Sequence, residues 1–132
     1  MADDRRRHAS GSPFEASIGF SRAIRAGTRI LVSGTAPVEA DGSSTRGDAE
    51  AQAERCCAVI AQAIAALGGS AADVVRTRML LVDAGDADAV GRVHGRWFAE
   101  ARPAATMVVV AGLLRPEWRV EIEAEAVVEE ER

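Results

Sequence analysis

From Trp118 to Val128 the chain alternates without a break. Val120, Ile122, Ala124, Ala126 and Val128 fall on one side, and Arg119, Glu121, Glu123 and Glu125 on the other. Period-two alternation is the mark of a β-strand that buries one face and turns the other away from the core. Val74 to Val82 repeats the arrangement, with Thr77, Met79 and Leu81 opposite Arg76 and Arg78. Both apolar sides are expected to meet helices, leaving a second sheet face on which acids and arginines pair across strands. Ala104 to Ala111 is apolar on both sides, which reads as a central strand.

The remaining segments fit around these strands. Ser17 to Arg25 places Ile18, Phe20 and Ile24 on one side, and Ala26-Gly27 separates it from a second short run, Arg29 to Gly34. The two are expected to form a hairpin. Asp48 opens a helix whose stripe is Cys56, Ile60, Ala63, Ile64 and Leu67, ended by Gly68-Gly69. Asp86 opens a second helix with Val90, Val93, His94, Trp97 and Phe98 on its face, ended at Arg102-Pro103. The order is β-β-α-β-α-β-β, an α+β fold with two helices on one face of a four- or five-stranded mixed sheet. Residues 1–13 are polar and read as a flexible arm, with the Arg5-Arg6-Arg7 run a solvated leader rather than a binding tail. Residues 14–132 read as a single domain.

Two helices cover one sheet face only, yet the strand expected at the centre is apolar on both sides. Another copy of the chain is the economical cover. Net charge is −4, so no basic excess exists to neutralise a phosphate backbone, and nucleic acid is not an expected partner. The longest nearly apolar run, Ala104 to Leu114, is too short for a membrane helix of roughly 20 residues, so no membrane association is expected. The N-terminal arginines lead into no apolar stretch of a secretory signal. The two cysteines, Cys56 and Cys57, are adjacent and poorly placed to bridge each other, which fits a reduced, cytoplasmic protein. The only histidines are His8 and His94. No metal or other cofactor is expected.

Several short runs resemble the RidA (YjgF) family. Gly19-Phe20-Ser21-Arg22-Ala23-Ile24 and Leu31-Val32-Ser33-Gly34-Thr35-Ala36-Pro37 look like its opening hairpin. Asp73-Val74-Val75-Arg76-Thr77, Arg102-Pro103-Ala104 and Val120-Glu121-Ile122-Glu123-Ala124 look like its later landmarks, in the same order. The resemblance implies a chorismate-mutase-like fold and a homotrimer whose sheets line a central barrel, with a small-molecule cleft at each subunit interface. The activity it implies is hydrolysis of imines and enamines derived from amino acids, releasing ammonia. Some members are also described as ribonucleases or translation inhibitors.

The site residues implied are Glu121, which positions the hydrolytic water, and the Ser33-Gly34 turn, which lines the cleft. The deaminase members carry an arginine after the Pro-Ala pair to clamp the substrate carboxylate; here that position is Ala105. Alanine cannot replace two parallel guanidinium hydrogen bonds. Phe20 stands where the family has a tyrosine, Gly91 where an asparagine is usual, and Met107 where cysteine is frequent. Each exchange removes a polar group, so the pocket is expected to be apolar and a poor host for amino-acid-derived acids. Arg22, two residues from Phe20, is a candidate substitute cation. Glu121 could instead form a salt bridge to Arg76 or Arg78. His94 could act as acid or base, but on an apolar helix face it reads as a hydrogen-bonded structural histidine, and Trp97 and Phe98 as core.

The function expected is a trimer binding small metabolites between subunits, with weak or altered imine hydrolase chemistry. The alternative is a genuine 2-imino-acid deaminase with Glu121 directing water. Ribonuclease activity is disfavoured by the acidic charge and the lack of a stacking platform.

Overall fold

The computed structural model describes residues 5–130. Strands β1 (Arg6–His8), β2 (Ala23–Ala26), β3 (Arg29–Thr35), β4 (Val74–Leu81), β5 (Ala104–Val109) and β6 (Val120–Val127) form one sheet, ordered β1-β2-β3-β6-β4-β5. All neighbours are antiparallel except β4 and β5, which run parallel through the connection that contains a helix. The helices are α1 (Pro13–Ile18), α2 (Ala49–Ala66) and α3 (Ala87–Phe98). This is the expected mixed α+β architecture, with more strands than the sequence pattern suggests.

The alternation of β6 is realised in full. Val120, Ile122, Ala124 and Ala126 are buried, while Glu121, Glu123 and Glu125 are half-exposed on the other face. On that face Arg78 Nη1 meets Glu123 Oε1 at 2.7 Å and Arg29 Nη2 meets Glu125 Oε2 at 3.0 Å. α2 starts where Asp48 accepts a hydrogen bond from the Ala51 N–H at 3.0 Å. Its Cys56, Ile60, Ala63, Ile64 and Leu67 are buried as the helical stripe requires, against the inward side chains of the sheet and Val90, Val93 and Phe98 of α3. Both cysteines are free and buried, and burial pushes Cys57 up to about 12.

Three expectations need correction. The strand expected over Ser17 to Arg25 begins only at Ala23, because residues 13–18 are helical. Ser12 caps that helix through the Phe14 N–H, Pro13 supplies the preset φ of a first turn, and Gly19 ends it at φ 91° with its N–H on Glu15 O. Ile18, expected to face the core, is exposed. The arm expected over residues 1–13 lies partly outside the described residues, but Arg6–His8 pairs with β2 as an edge strand, His8 opposite Ala23. Finally, Ala104 to Ala111 is not central. β5 is the edge strand beyond β4, and Val108 and Val109 are 42% and 56% exposed. Its two apolar sides are not both covered within one chain.

Arg25 is the interior tie of this sheet. It is buried, and its guanidinium donates to Gly27 O at 2.9 Å, Leu67 O at 2.9 Å and Glu129 O at 3.2 Å. One side chain therefore joins the β2–β3 turn, the end of α2 and the segment after β6. Arg25→Met leaves those carbonyls without this donor and is expected to cost about 2–4 kcal/mol of stability, read by urea denaturation.

Candidate functional site

The sheet register creates the site. Pairing of β3 with β6 slips between Val32 and Thr35, which leaves Ser33 and Gly34 bulged opposite Glu123, one same-face position away from Glu121. A Cβ built on Gly34 would stand 2.5 Å from Glu121 Oε2 and 3.3 Å from its Cδ. Glycine lets the carboxyl lie here, and a Cβ would push the end of the Glu121 side chain aside. Ser33 is held by its own bonds: its hydroxyl donates to Ser21 O at 2.8 Å and its N–H to Arg22 O at 3.0 Å. Phe20 and Arg22 precede β2 and border the same space, a cavity of about 470 Å³ lined also by Ser33, Gly34 and Glu121.

Arg22 is buried in its wall. Nη1 donates to Gly34 O at 2.9 Å and to Thr35 Oγ1 at 3.3 Å, and the guanidinium lies 5.3 Å from the centre of the Phe20 ring. Its Nε has no hydrogen-bond partner, although Glu15 Oε2 is 3.8 Å away. Burial lowers the Arg22 pKa against the opposing pull of Glu15 and Glu121. Glu15 itself is buried and accepts hydrogen bonds from the Ser10 N–H at 3.0 Å and from the Ser10 hydroxyl. This anchors the segment from His8 to Ile18 over the cavity, where Phe14, Ile18, Leu114 and Trp118 supply apolar wall. Sequence reasoning missed Glu15 and this roof. The Ser12-Pro13 start signal and the Gly19 stop were the clues available.

Glu121 takes no side-chain hydrogen bond among the described residues. Burial raises its pKa, Arg22 opposes that shift and Glu123 adds to it. The alternative salt bridge to Arg76 or Arg78 is not formed: Arg78 holds Glu123, and Arg76 is registered against Glu125. A carboxyl with a raised pKa in a lined cavity can hold a water and exchange a proton with it.

Of the expected residues, Phe20, Arg22, Ser33, Gly34 and Glu121 converge; Ala105 and Met107 do not. Ala105 is registered against Thr77, and Met107 against Met79, on the face that carries the helices. Glu121 is registered against Leu80, on the other face. A cleft containing both positions 105 and 121 cannot be built by one chain. His94 is half-buried, its Nε2 is 2.7 Å from Thr77 Oγ1, and burial lowers its pKa, which is the structural role rather than the acid–base one. Trp97 donates to Glu54 and Phe98 is core. Among the described residues no group of three or more His, Cys, Asp or Glu is arranged to hold a metal, and no helix is long and apolar enough to cross a membrane.

Residues 11–128 match the family described as Endoribonuclease L-PSP. The chain belongs to the YjgF/RidA family. A Mycobacterium tuberculosis member of the YjgF/YER057c/UK114 family shares the fold with a TM-score of 0.85 at 40% identity, over 95% of this chain and 100% of that one. An uncharacterized Streptomyces coelicolor protein is 40% identical over 121 residues, 92% of this chain and 90% of its own. A Capra hircus protein named 2-iminobutanoate/2-iminopropanoate deaminase is 33% identical over 124 residues, 92% of this chain and 90% of its own. Relative to the YjgF/RidA pattern set out from the sequence, this member keeps the Ser33-Gly34 turn and Glu121 and has alanine at 105.

Two outcomes follow from the geometry. Gly34→Ala forces the Glu121 side chain aside and is expected to cost about 1–3 kcal/mol in urea denaturation, most of it recovered in the double variant Gly34→Ala/Glu121→Ala. Glu121→Gln is expected to raise the melting temperature by a few degrees at pH 7. The folded pKa is raised, so the folded state binds this proton more tightly. Its stabilising contribution is complete below the ordinary value of 4.5 and is lost as pH rises through the folded value. The gain from glutamine therefore fades in melts carried out toward pH 4.

Proposed function

We propose that this YjgF/RidA member is a cytoplasmic homotrimer that binds small metabolites in clefts between subunits, with weak or altered imine and enamine hydrolase chemistry. The observation that carries the reading is the placement of Glu121 in a lined cavity on one sheet face, while position 105 is an exposed alanine on the other. Assembly is supported by apolar residues left open in the single chain, Leu31 on the uncovered face and Val108 and Val109 on the β5 edge. An unpaired edge strand of this composition is a ready surface for another chain. The free, buried cysteines fit a reducing compartment.

In the hydrolytic step Glu121 takes a proton from water as the oxygen adds to the carbon of the C=N bond. That proton passes to the nitrogen to give a carbinolamine, whose hydroxyl proton is then carried by Glu121 to the nitrogen as the C–N bond breaks and the C=O bond forms, so that a carbonyl compound and ammonia leave. Binding must hold the imine in place for this to proceed. For a carboxylate-bearing imine the arginine clamp is missing, which lowers the rate. The name of the Capra hircus relative favours the second reading, a 2-imino-acid deaminase. A ribonuclease reading draws only on the family's description, and the chain's net charge of −4 opposes it.

Ammonia release from 2-iminopropanoate tests the choice. Low turnover is expected in the native protein, with a further loss in Glu121→Gln. Ala105→Arg is expected to gain about tenfold or more, since each charged hydrogen bond is worth about 1.5–3 kcal/mol and about 1.4 kcal/mol is tenfold. Native turnover matching that of arginine-bearing relatives rejects the binding reading in favour of the deaminase. Sedimentation is expected to give a trimer; a monomer at micromolar concentration removes the intersubunit clefts.

A further inference from the structure

The polar groups that border the Glu121 cavity are not equally available. Two guanidiniums line it, and both are engaged within the chain. Arg22 donates to Gly34 O and Thr35 Oγ1, and the anion nearest its Nε is Glu15 at 3.8 Å. Arg55 donates from Nε to Val38 O at 2.8 Å and lies 3.7 Å from Glu39 Oε2, which also accepts from Thr45 Oγ1. His8 borders the roof. Glu121 is the exception: among the described residues no side chain donates to it. Arg22 Nε has no partner but is buried, and the Gln62 amide and His8 ring also border the space, so the open capacity beside Glu121 itself is that of an anionic acceptor.

Charge points the same way. Glu15 and Glu121 both act on the one buried guanidinium of Arg22, so this cluster holds two carboxyls for one cation. A ligand carboxylate brought beside Glu121 meets like charge, with no guanidinium free of an internal anion or carbonyl to compensate. A ligand N–H meets an unoccupied acceptor instead. The rest of the wall mixes polar side chains with an apolar and aromatic stretch. Phe20 lies by the polar end, and Phe14 and Trp118 stand edge to face at 6.4 Å and 77°. The volume of about 470 Å³ suits a ligand of one ring with a short polar group.

Resting on the binding reading above, we infer that this site selects uncharged or cationic nitrogen compounds (amines, imines or iminium ions) with an apolar arm, and discriminates against carboxylates. The nitrogen donates to Glu121, and the arm lies against Phe20, Phe14 and Trp118. Glu121 then fixes ligand class as well as water. The roof from His8 to Ile18, which a single chain provides, sets the shape of the arm that fits. The compounds selected are those of amino-acid-like nitrogen chemistry whose carboxyl group is absent or masked.

Three ring-matched probes separate the terms: benzylamine, benzyl alcohol and benzoate, titrated into the full-length assembled protein and followed by NMR shifts of the protein amides. Benzylamine is expected to bind about tenfold or more tightly than benzoate, with benzyl alcohol between them. Glu121→Gln is expected to weaken benzylamine about tenfold, down to the level of benzyl alcohol, and to weaken benzyl alcohol much less, a difference that mere loss of folding cannot produce. Phe14→Ala is expected to weaken benzylamine and benzyl alcohol together, with the order of the three probes kept. Benzoate binding as tightly as benzylamine at shifts around Glu121 overturns the inference and leaves the small-molecule reading standing. Equal benzylamine binding in native and Glu121→Gln protein also overturns it. Absence of binding by all three, in protein shown by its spectrum to be folded, overturns both.

Discussion

β6 is bonded on both sides, to β3 and to β4, and its alternate residues divide between an aliphatic core and a row of glutamates. That division constrains everything else. α2 and α3 can lie only on the aliphatic side, where burial of Val120, Ile122, Ala124 and Ala126 favours them. The glutamates must then be answered on the other side, and the answers differ. Glu125 and Glu123 meet Arg29 and Arg78 in exposed ion pairs, which contribute little stability each. Glu121, one same-face position beyond the bulge of β3, lies against Gly34, where no Cβ excludes it, and a buried arginine tempers its charge. The same period-two pattern thus yields two surface pairs and one carboxyl that borders a cavity, and the difference arises in the neighbouring strand.

Much of this could be read from residue pattern alone. The helices α2 and α3, the strands β3, β4 and β6, and the convergence of Phe20, Ser33, Gly34 and Glu121 follow from strong periodicities and from a family likeness spread along the chain. What was not legible has a physical cause in each case. Residues 17–25 alternate in hydrophobicity over too few positions to outweigh the capping chemistry of Ser12, Pro13 and Gly19, and local backbone preference prevailed. β5 carries the composition of a central strand at an edge, because composition records apolar surface and not the order of strands in a sheet. The Glu15–Arg22 contact joins residues whose facing depends on that unforeseen helix.

Arg22 shows how a charge near a site can also serve the fold. Its position beside Phe20 suggests a replacement for the missing arginine at 105. In place, its Nη1 belongs to Gly34 and Thr35, and it joins the bulge to the roof through Glu15. Taking such a group out of water is costly unless its bonds are satisfied. Its first effect is on the arrangement of Gly34 and Glu121 rather than on a bound anion.

The cavity is roofed by the first stretch of the chain, from His8 to Ile18, with β1 immediately before it and paired to β2. Expression handles are commonly fused at that end. A tag there precedes a short strand that leads directly into this roof. At the other end the chain leaves the sheet past Glu129, near the Arg25 tie, and among the described residues that segment adds nothing to the cavity lining. A carboxyl-terminal handle is therefore the sounder choice for studying this cavity.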